Sequence, residues 1–299
     1  MKYVRFCSPD GHVGRGILSG QEIEELEGDI FSQYRLIGRK YGLREAKLLP
    51  PCEPGKIVGV GANYKSHLSS KHMDPPSCPR LFIKPGSSVI GPDDRIICPD
   101  PAHTIHFEGE LAVVMGKRCS KVPEEKALDH VFGYTCINDV TDRTMLEEDG
   151  QWTRGKGADT FAPLGPVIAD GIDGGNLILE TRVQGQVRQH MSTSDLYFPI
   201  PYLISFISTY MTLYPGDMIA TGSPVGMGPL KVGETVEVEI QGIGILKNKM
   251  TVKELFQAFE SVTGEKEENE NAETTDPETN ASTDNAETET TEASEDAEE

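Results

Sequence analysis

The residues best suited to chemistry lie in the run Ile105-His106-Phe107-Glu108-Gly109-Glu110-Leu111-Ala112-Val113-Val114. Read as a strand, its period of two puts His106, Glu108 and Glu110 on one face and Ile105, Phe107, Leu111 and Val113 on the other. Carboxylates at i and i+2 on one face stand roughly 7 Å apart, near enough to share a cation. Hard oxygen donors select Mg²⁺, Mn²⁺ or Ca²⁺ over zinc. Further along, Gly133-Tyr134-Thr135-Cys136-Ile137-Asn138-Asp139-Val140-Thr141-Asp142-Arg143 reads as an apolar strand ending in a polar cluster. Asp139 could supply a third carboxylate there. Three carboxylates with open positions for water and substrate suit a Mg²⁺ site that takes a chelating ligand. Without a cation they repel, so losing any one should relieve the metal-free fold. The plainer readings are a solvated strand face for the two glutamates and a turn or cap aspartate for Asp139.

Three other segments carry reactive groups. Gly59-Val60-Gly61-Ala62-Asn63-Tyr64-Lys65-Ser66-His67 follows an apolar strand, and His67 is either a general base or a surface-loop histidine. The chain has neither G-x-x-x-x-G-K-[ST] nor G-x-G-x-x-G, so a nucleotide site has little support. Gly155-Lys156-Gly157, after the one tryptophan, puts a lysine where it could stabilise an enolate or oxyanion; otherwise it is a basic surface loop. Ala220-Thr221-Gly222-Ser223-Pro224 offers a hydroxyl and turned backbone N–H groups that suit a carboxylate; otherwise it is a plain turn.

These segments need a scaffold, and the composition limits what it is. The chain has 299 residues, 37% of them hydrophobic and 25% charged, and a formal net charge of −20. From Glu265 to Glu299 there are 15 acids and one base, Lys266, so most of the acidity is a tail. That tail has no apolar residue larger than Ala, and it is expected to be disordered. Nucleic-acid binding is disfavoured, because neutralising phosphates takes clustered Lys and Arg. No stretch approaches the ~20 apolar residues of a membrane span. Met1 to Asp10 lacks the apolar core of a secretory signal, and the six scattered cysteines fit free thiols, so a cytoplasmic protein is expected.

Lys2 to Phe6 reads as a strand, followed by a helix within Glu22 to Lys40. Pro50, Pro51 and Pro54 mark a boundary, giving a small N-terminal α+β domain at 1–53, a main domain at 54–264 and the tail at 265–299. From Ile57 short apolar runs recur between Gly, Pro and Asp clusters, the mark of a β-rich domain. Leu203, Phe206, Ile207, Tyr210, Met211 and Tyr214 predict one helix stopping at Pro215-Gly216. Thr251 and Glu254 predict a capping box, with Met250 stapled to Leu255.

Taken in order, the motifs resemble those of the fumarylacetoacetate hydrolase family over roughly 55–252. Asn63-Tyr64 with His67 is similar to N-Y-x-x-H, and Lys84-Pro85-Gly86-Ser87-Ser88 to K-P-x-S-S. His106-Phe107-Glu108-Gly109-Glu110-Leu111 resembles H-x-E-x-E-L, and Asn138 to Arg143 resembles N-D-V-T-x-R. Gly155-Lys156-Gly157 looks like the catalytic-lysine loop, and Thr221-Gly222-Ser223-Pro224 like T-G-T-P. The resemblance implies a β-rich α+β fold with a mixed β-sheet roll, usually a homodimer, and Mg²⁺ or Mn²⁺ on Glu108, Glu110 and Asp139. It implies His67 and Lys156 as catalytic, and Asn63, Tyr64, Arg143, Thr221 and Gly222 as substrate-binding. The substrates implied are 2-oxo and β-dicarbonyl acids, met first by C–C hydrolysis of the acylpyruvate or fumarylpyruvate type. Oxaloacetate-type decarboxylation and 2-hydroxyhepta-2,4-diene-1,7-dioate isomerisation are the alternatives, and a non-catalytic scaffold is the remote one. One residue departs: family hydrolases orient the histidine with a Glu three residues later, where this chain has Ser70, leaving Asp74 as a possible substitute.

Overall fold

Short strands bounded by Gly, Pro and Asp dominate the computed structural model, which describes residues 1–253. The largest sheet runs through Tyr34–Gly42, Glu22–Gly28, Val13–Ser19, Lys2–Cys7, Ala162–Ala169, Val131–Asn138, Gly109–Met115, Met218–Ala220, Lys56–Gly61 and Arg80–Pro85. A second sheet orders Gln186–Ser192, Ile178–Val183, Thr235–Ile240, Gly244–Val252 and Arg95–Cys98. Most pairs are antiparallel, but Met218–Ala220 lies parallel to Lys56–Gly61, and Gly244–Val252 parallel to Arg95–Cys98. The mixed, mostly-sheet α+β class therefore stands.

The two sheets meet over one apolar layer. Leu111, Val113 and Cys136 of the large sheet pack with Leu179, Val238 and Leu246 of the smaller one and with Leu203 and Ile207 of the helix Ile200–Tyr210. The opposite face of the large sheet carries Ala112, Val114, Ile137 and Ile168 into a second cluster with Tyr3, Leu26 and Ile30. With both faces covered, Gly109–Met115 is buried along its whole length. This explains the unbroken apolar run Leu111 to Met115 after two glutamates.

Two expected helical stretches are corrected. Glu22 to Lys40 forms a hairpin of Glu22–Gly28 and Tyr34–Gly42, paired from Glu22 opposite Gly42 to Gly28 opposite Tyr34. Gly28, at φ +110, and the Asp29 carboxylate, accepting from Phe31 N at 3.0 Å, turn the chain where a helix would continue. Buried Glu25 is satisfied across strands by His12 at 2.6 Å and Tyr41 at 3.2 Å, a network no single helix supplies. The later helix stops at Tyr210, short of Pro215-Gly216, because Leu213 exchanges two backbone hydrogen bonds with Cys119 at 2.8 and 2.9 Å. Leu213 is buried in this extended segment, while Tyr210 and Tyr214 of the expected apolar stripe are exposed. Thr251 lies in the strand Gly244–Val252, while Glu254, Leu255 and the acidic tail lie outside the described residues. All six cysteines are free, and among the described residues no helix is long and apolar enough to cross a membrane.

The N-terminal strands are hydrogen-bonded into the large sheet, with Lys2 opposite Ala169 and Tyr3 opposite Ile168. They also fill both clusters, through Val4, Phe6 and Ile23 in one and Tyr3 and Leu26 in the other. Deleting residues 1–51 should therefore expose the edge of Ala162–Ala169 and leave a chain that aggregates or melts well below the full protein. A truncated chain with the full protein's Tm would show that the main fold does not need these strands.

Candidate metal centre

Glu108 sits where the chain changes sheets. Ile105–Phe107 pairs in a small three-stranded sheet and Gly109–Met115 in the large one, with Glu108 between them. The side-chain alternation survives the break: His106, Glu108 and Glu110 all line one cavity of about 820 Å³. Gly109 is required there, because a side chain would run into Thr181 Oγ1 of the facing sheet. Asp139 follows the strand Val131–Asn138 and donates its backbone N–H to Glu108 O at 2.8 Å, which brings the two segments together. Each of Glu108, Glu110 and Asp139 is buried, and each offers one oxygen within 4.8 Å of the others'. That burial rules out the solvated-face and plain-turn readings.

Two lysines balance the carboxylates. Lys84, with no exposed surface, holds its Nζ 2.7 Å from Asp139 Oδ1 and donates to Val140 O at 3.1 Å and to Lys156 O. Lys156 donates to Glu108 Oε2 at 3.1 Å and to Asp139 Oδ2. Thr141 Oγ1 donates to Glu108 Oε1 at 2.9 Å, and Gly222 N to Glu110 Oε2 at 2.8 Å. Burial, and then the charges of Asp139 and Glu108, push the Glu110 carboxyl well above the ordinary range. Burial also opposes ionisation of Asp139, but Lys156 and Lys84 outweigh it and hold that carboxyl low. Burial would lower the Lys156 ammonium, yet Asp139 and Glu108 raise it; for Lys84 burial prevails. With all five groups ionised, one negative charge is left over, and Glu110 bears the strain. Three hard oxygens with surplus negative charge and no soft donor fit a divalent cation of the magnesium or manganese kind. The repulsion expected among the three acids therefore falls on Glu110; Asp139 is tied to two ammonium groups.

The other candidates divide by position. His67 and Arg143 line the cavity with the triad and Lys156. His67 is nearly buried, its Nδ1 has no hydrogen-bond partner, and burial followed by the Lys71 charge lowers its pKa. Ser70 donates its hydroxyl to His67 O at 2.9 Å and does not reach the ring, while Asp74 is exposed. Asn63, Tyr64, Thr221 and Gly222 do not line the cavity. The Asn63 amide donates to Thr221 O at 2.8 Å and Phe198 O at 3.1 Å, and the Thr221 hydroxyl to Leu111 O at 2.9 Å. Tyr64 is fully buried behind them. Gly222, at φ +101, abuts Asn63, and the carboxylate its N–H receives is that of Glu110. These four residues form the floor under Glu110. Lys156 lies in a helical turn, Thr153–Gly157, where a loop was expected. Lys84 and Thr141 were overlooked as site residues, although K-P-G-S-S and N-D-V-T contain them.

Comparison with known proteins places the fold among known ones. The fumarylacetoacetate hydrolase C-terminal family model matches residues 56–251, and an Rv2993c-like N-terminal model matches residues 1–51. An uncharacterised protein of Archaeoglobus fulgidus is 48% identical over 239 residues, covering 79% of this chain and 94% of its own. The structure of 2-hydroxyhepta-2,4-diene-1,7-dioate isomerase from Mycobacterium marinum superposes with TM-score 0.79 at 40% identity, covering 85% of this chain and 99% of the other. Maleylpyruvate hydrolase from Sphingobium sp. SYK-6, solved with manganese(II) and pyruvate, gives TM-score 0.70 at 30% identity over 84% of this chain and 99% of the other.

The charge arrangement separates two substitutions in protein stripped of metal by a chelator. Asp139→Ala leaves the buried Lys84 ammonium uncompensated and should cost about 3–5 kcal/mol. Glu110→Gln removes a charge that burial and its neighbours oppose, and should leave Tm unchanged or raise it. Equal losses of Tm in the two variants would contradict this assignment of the strain.

Proposed function

The chain belongs to the fumarylacetoacetate hydrolase family, and we propose that it is a divalent-metal-dependent enzyme that enolises 2-oxo or β-dicarbonyl acids, by tautomerisation or decarboxylation rather than C–C hydrolysis. The observation that carries this choice is the His67 ring, whose Nδ1 is unpartnered and which no carboxylate among the described residues orients. Hydrolysis needs a water deprotonated at the right face of a carbonyl. A positioned general base contributes roughly 10²–10⁴ in rate, and a poorly oriented one forfeits much of it. Enolisation needs mainly a place for negative charge.

Glu108, Glu110 and Asp139 would hold Mg²⁺ or Mn²⁺. Bound there, the cation supplies Lewis-acid stabilisation of the oxygens of a 2-oxo acid. Lys156 brings an ammonium, kept charged by its carboxylate neighbours, to the enolate oxygen. Arg143 on the cavity wall suits a substrate carboxylate. In decarboxylation the breaking C–C bond leaves its electron pair in the enolate, and a proton then returns to carbon. In tautomerisation a proton moves between carbon and oxygen. The His67 imidazole, kept neutral by burial and Lys71, can take up that proton directly, a task that needs no water held at one face of a carbonyl and so asks less of its orientation. The likeness to a 2-hydroxyhepta-2,4-diene-1,7-dioate isomerase supports this reading, and the likeness to a maleylpyruvate hydrolase supports hydrolysis as the second one. Family resemblance also supports a homodimer in the cytoplasm.

Assays of oxaloacetate, 2-hydroxyhepta-2,4-diene-1,7-dioate, acetylpyruvate and fumarylpyruvate with Mg²⁺ or Mn²⁺ test the choice. Decarboxylation or isomerisation should exceed acylpyruvate hydrolysis. Ser70→Glu, at an exposed position on the cavity rim, should raise hydrolysis and leave the other reactions little changed. Native hydrolysis faster than either alternative, with no effect of Ser70→Glu, would overturn the reading.

A further inference from the structure

Lys84 and Lys156 share one carboxylate, but their remaining contacts differ. Lys84 Nζ lies 2.7 Å from Asp139 Oδ1 and also donates to two backbone carbonyls, Val140 O at 3.1 Å and Lys156 O. Those carbonyls belong to the chain itself, and no ligand can carry them off. Lys84 also has no exposed surface and does not line the cavity. Among the described residues, Lys156 Nζ donates only to carboxylates, Glu108 Oε2 at 3.1 Å and Asp139 Oδ2. Both acceptors belong to the acidic triad. Unlike Lys84, Lys156 lines the cavity, with its Nζ 4.8 Å from the centre of the Phe82 ring.

We infer that Lys156 is an exchangeable counter-ion whose ammonium competes with the divalent cation for Asp139 Oδ2 and Glu108 Oε2, while Lys84 is the fixed counter-ion that pins Asp139 Oδ1. A double charge is drawn to these oxygens more strongly than a single one at the same separation. Uptake of the cation therefore turns the Lys156 ammonium from the carboxylates toward the cavity, with the Phe82 ring it already faces remaining as its neighbour. The exchange makes and breaks only ion pairs. Its consequence is that the lysine comes to the substrate's side when the metal is in place. Lys84 contributes the opposite effect, since a partner that orients a metal-binding carboxylate supports affinity.

This inference rests on the cation site proposed above, and Mn²⁺ alone, titrated into the metal-stripped full chain and followed by calorimetry or electron paramagnetic resonance, tests it. Lys156→Met should tighten Mn²⁺ binding by roughly tenfold, the scale of a typical coupling between two sites. Lys84→Met should weaken it by about 10–100-fold. In the unaltered chain, Mn²⁺ should increase acylation of Lys156 by acetic anhydride, read by mass spectrometry, and leave Lys84 unmodified. This measurement does not depend on either variant folding. Unaltered protein that binds no Mn²⁺ overturns both this inference and the proposed cation site. Mn²⁺ binding that is unchanged or weaker in Lys156→Met, or protection of Lys156 from acylation, overturns the exchange alone. Equal tightening in both lysine variants would do the same, since it would reduce the effect to general electrostatics.

Discussion

The site depends on one carboxylate held between two ammonium groups. Asp139 is almost wholly buried, and a lone ionised acid in that position would be costly. Lys84 on Oδ1 and Lys156 on Oδ2 make its charge tolerable. Each lysine comes from a different part of the chain: Lys84 from the strand Arg80–Pro85 and Lys156 from the turn Thr153–Gly157. The hydrogen bond from Lys84 to the Lys156 carbonyl links those two segments directly. Asp139 thus joins three elements at a point where no apolar packing could set their distance to within a hydrogen bond. Buried pairs of this kind are weak evidence for net stability, because desolvation consumes most of the Coulombic gain. Their value here is positional.

Close backbone approach does the rest. At Gly109 the large sheet comes so near Thr181 that only a glycine fits, and its N–H reaches Gln189 Oε1 at 3.1 Å. At Gly155 a Cβ would stand 2.7 Å from Asp142 O, so the helical turn bearing Lys156 can lie against the segment after Asp139. Asp142 caps the helix Arg143–Asp149 through Met145 N at 3.0 Å and also meets His103 at 2.7 Å, which fixes the start of the helix carrying Arg143. The glycines between the acids and beside the lysine are therefore consequences of layer spacing, and the acids could not converge without them.

Much of this was legible in the chain because period-two alternation in His106, Glu108 and Glu110 is a local property, and the sheet change at Glu108 leaves it intact. The third carboxylate was legible from an apolar run ending in polar residues. Long-range compensation was not legible. Nothing near Glu25 in sequence reveals that His12 and Tyr41 satisfy it, so the Glu-rich stretch reads as a helix when it is half a hairpin. The same blindness hid Lys84: a lysine before a proline in a strand looks solvated until Asp139, 55 residues away, is seen beside it. The resemblance implies Asn63, Thr221 and Gly222 as substrate-binding groups, and the sequence does not reveal that their polar atoms have partners within the chain. In the fold those partners are Phe198, Leu111 and Glu110.

The charge count also orders the events in the cavity. With all five groups ionised, Glu108, Glu110 and Asp139 against Lys84 and Lys156 leave one negative charge, which would repel an anionic substrate of the proposed kind. Raising the cluster by two charges reverses its sign, and Arg143 on the wall then adds to an attractive field. Protonating Glu110 would cancel only the single excess charge and leave the cluster neutral. On the proposed function, a divalent cation held there would make the site a receptor for a carboxylate as well as a sink for enolate charge. A proton on Glu110 would only remove the repulsion, whereas a cation would add attraction, so the surplus carboxylate favours the cation as the first to enter.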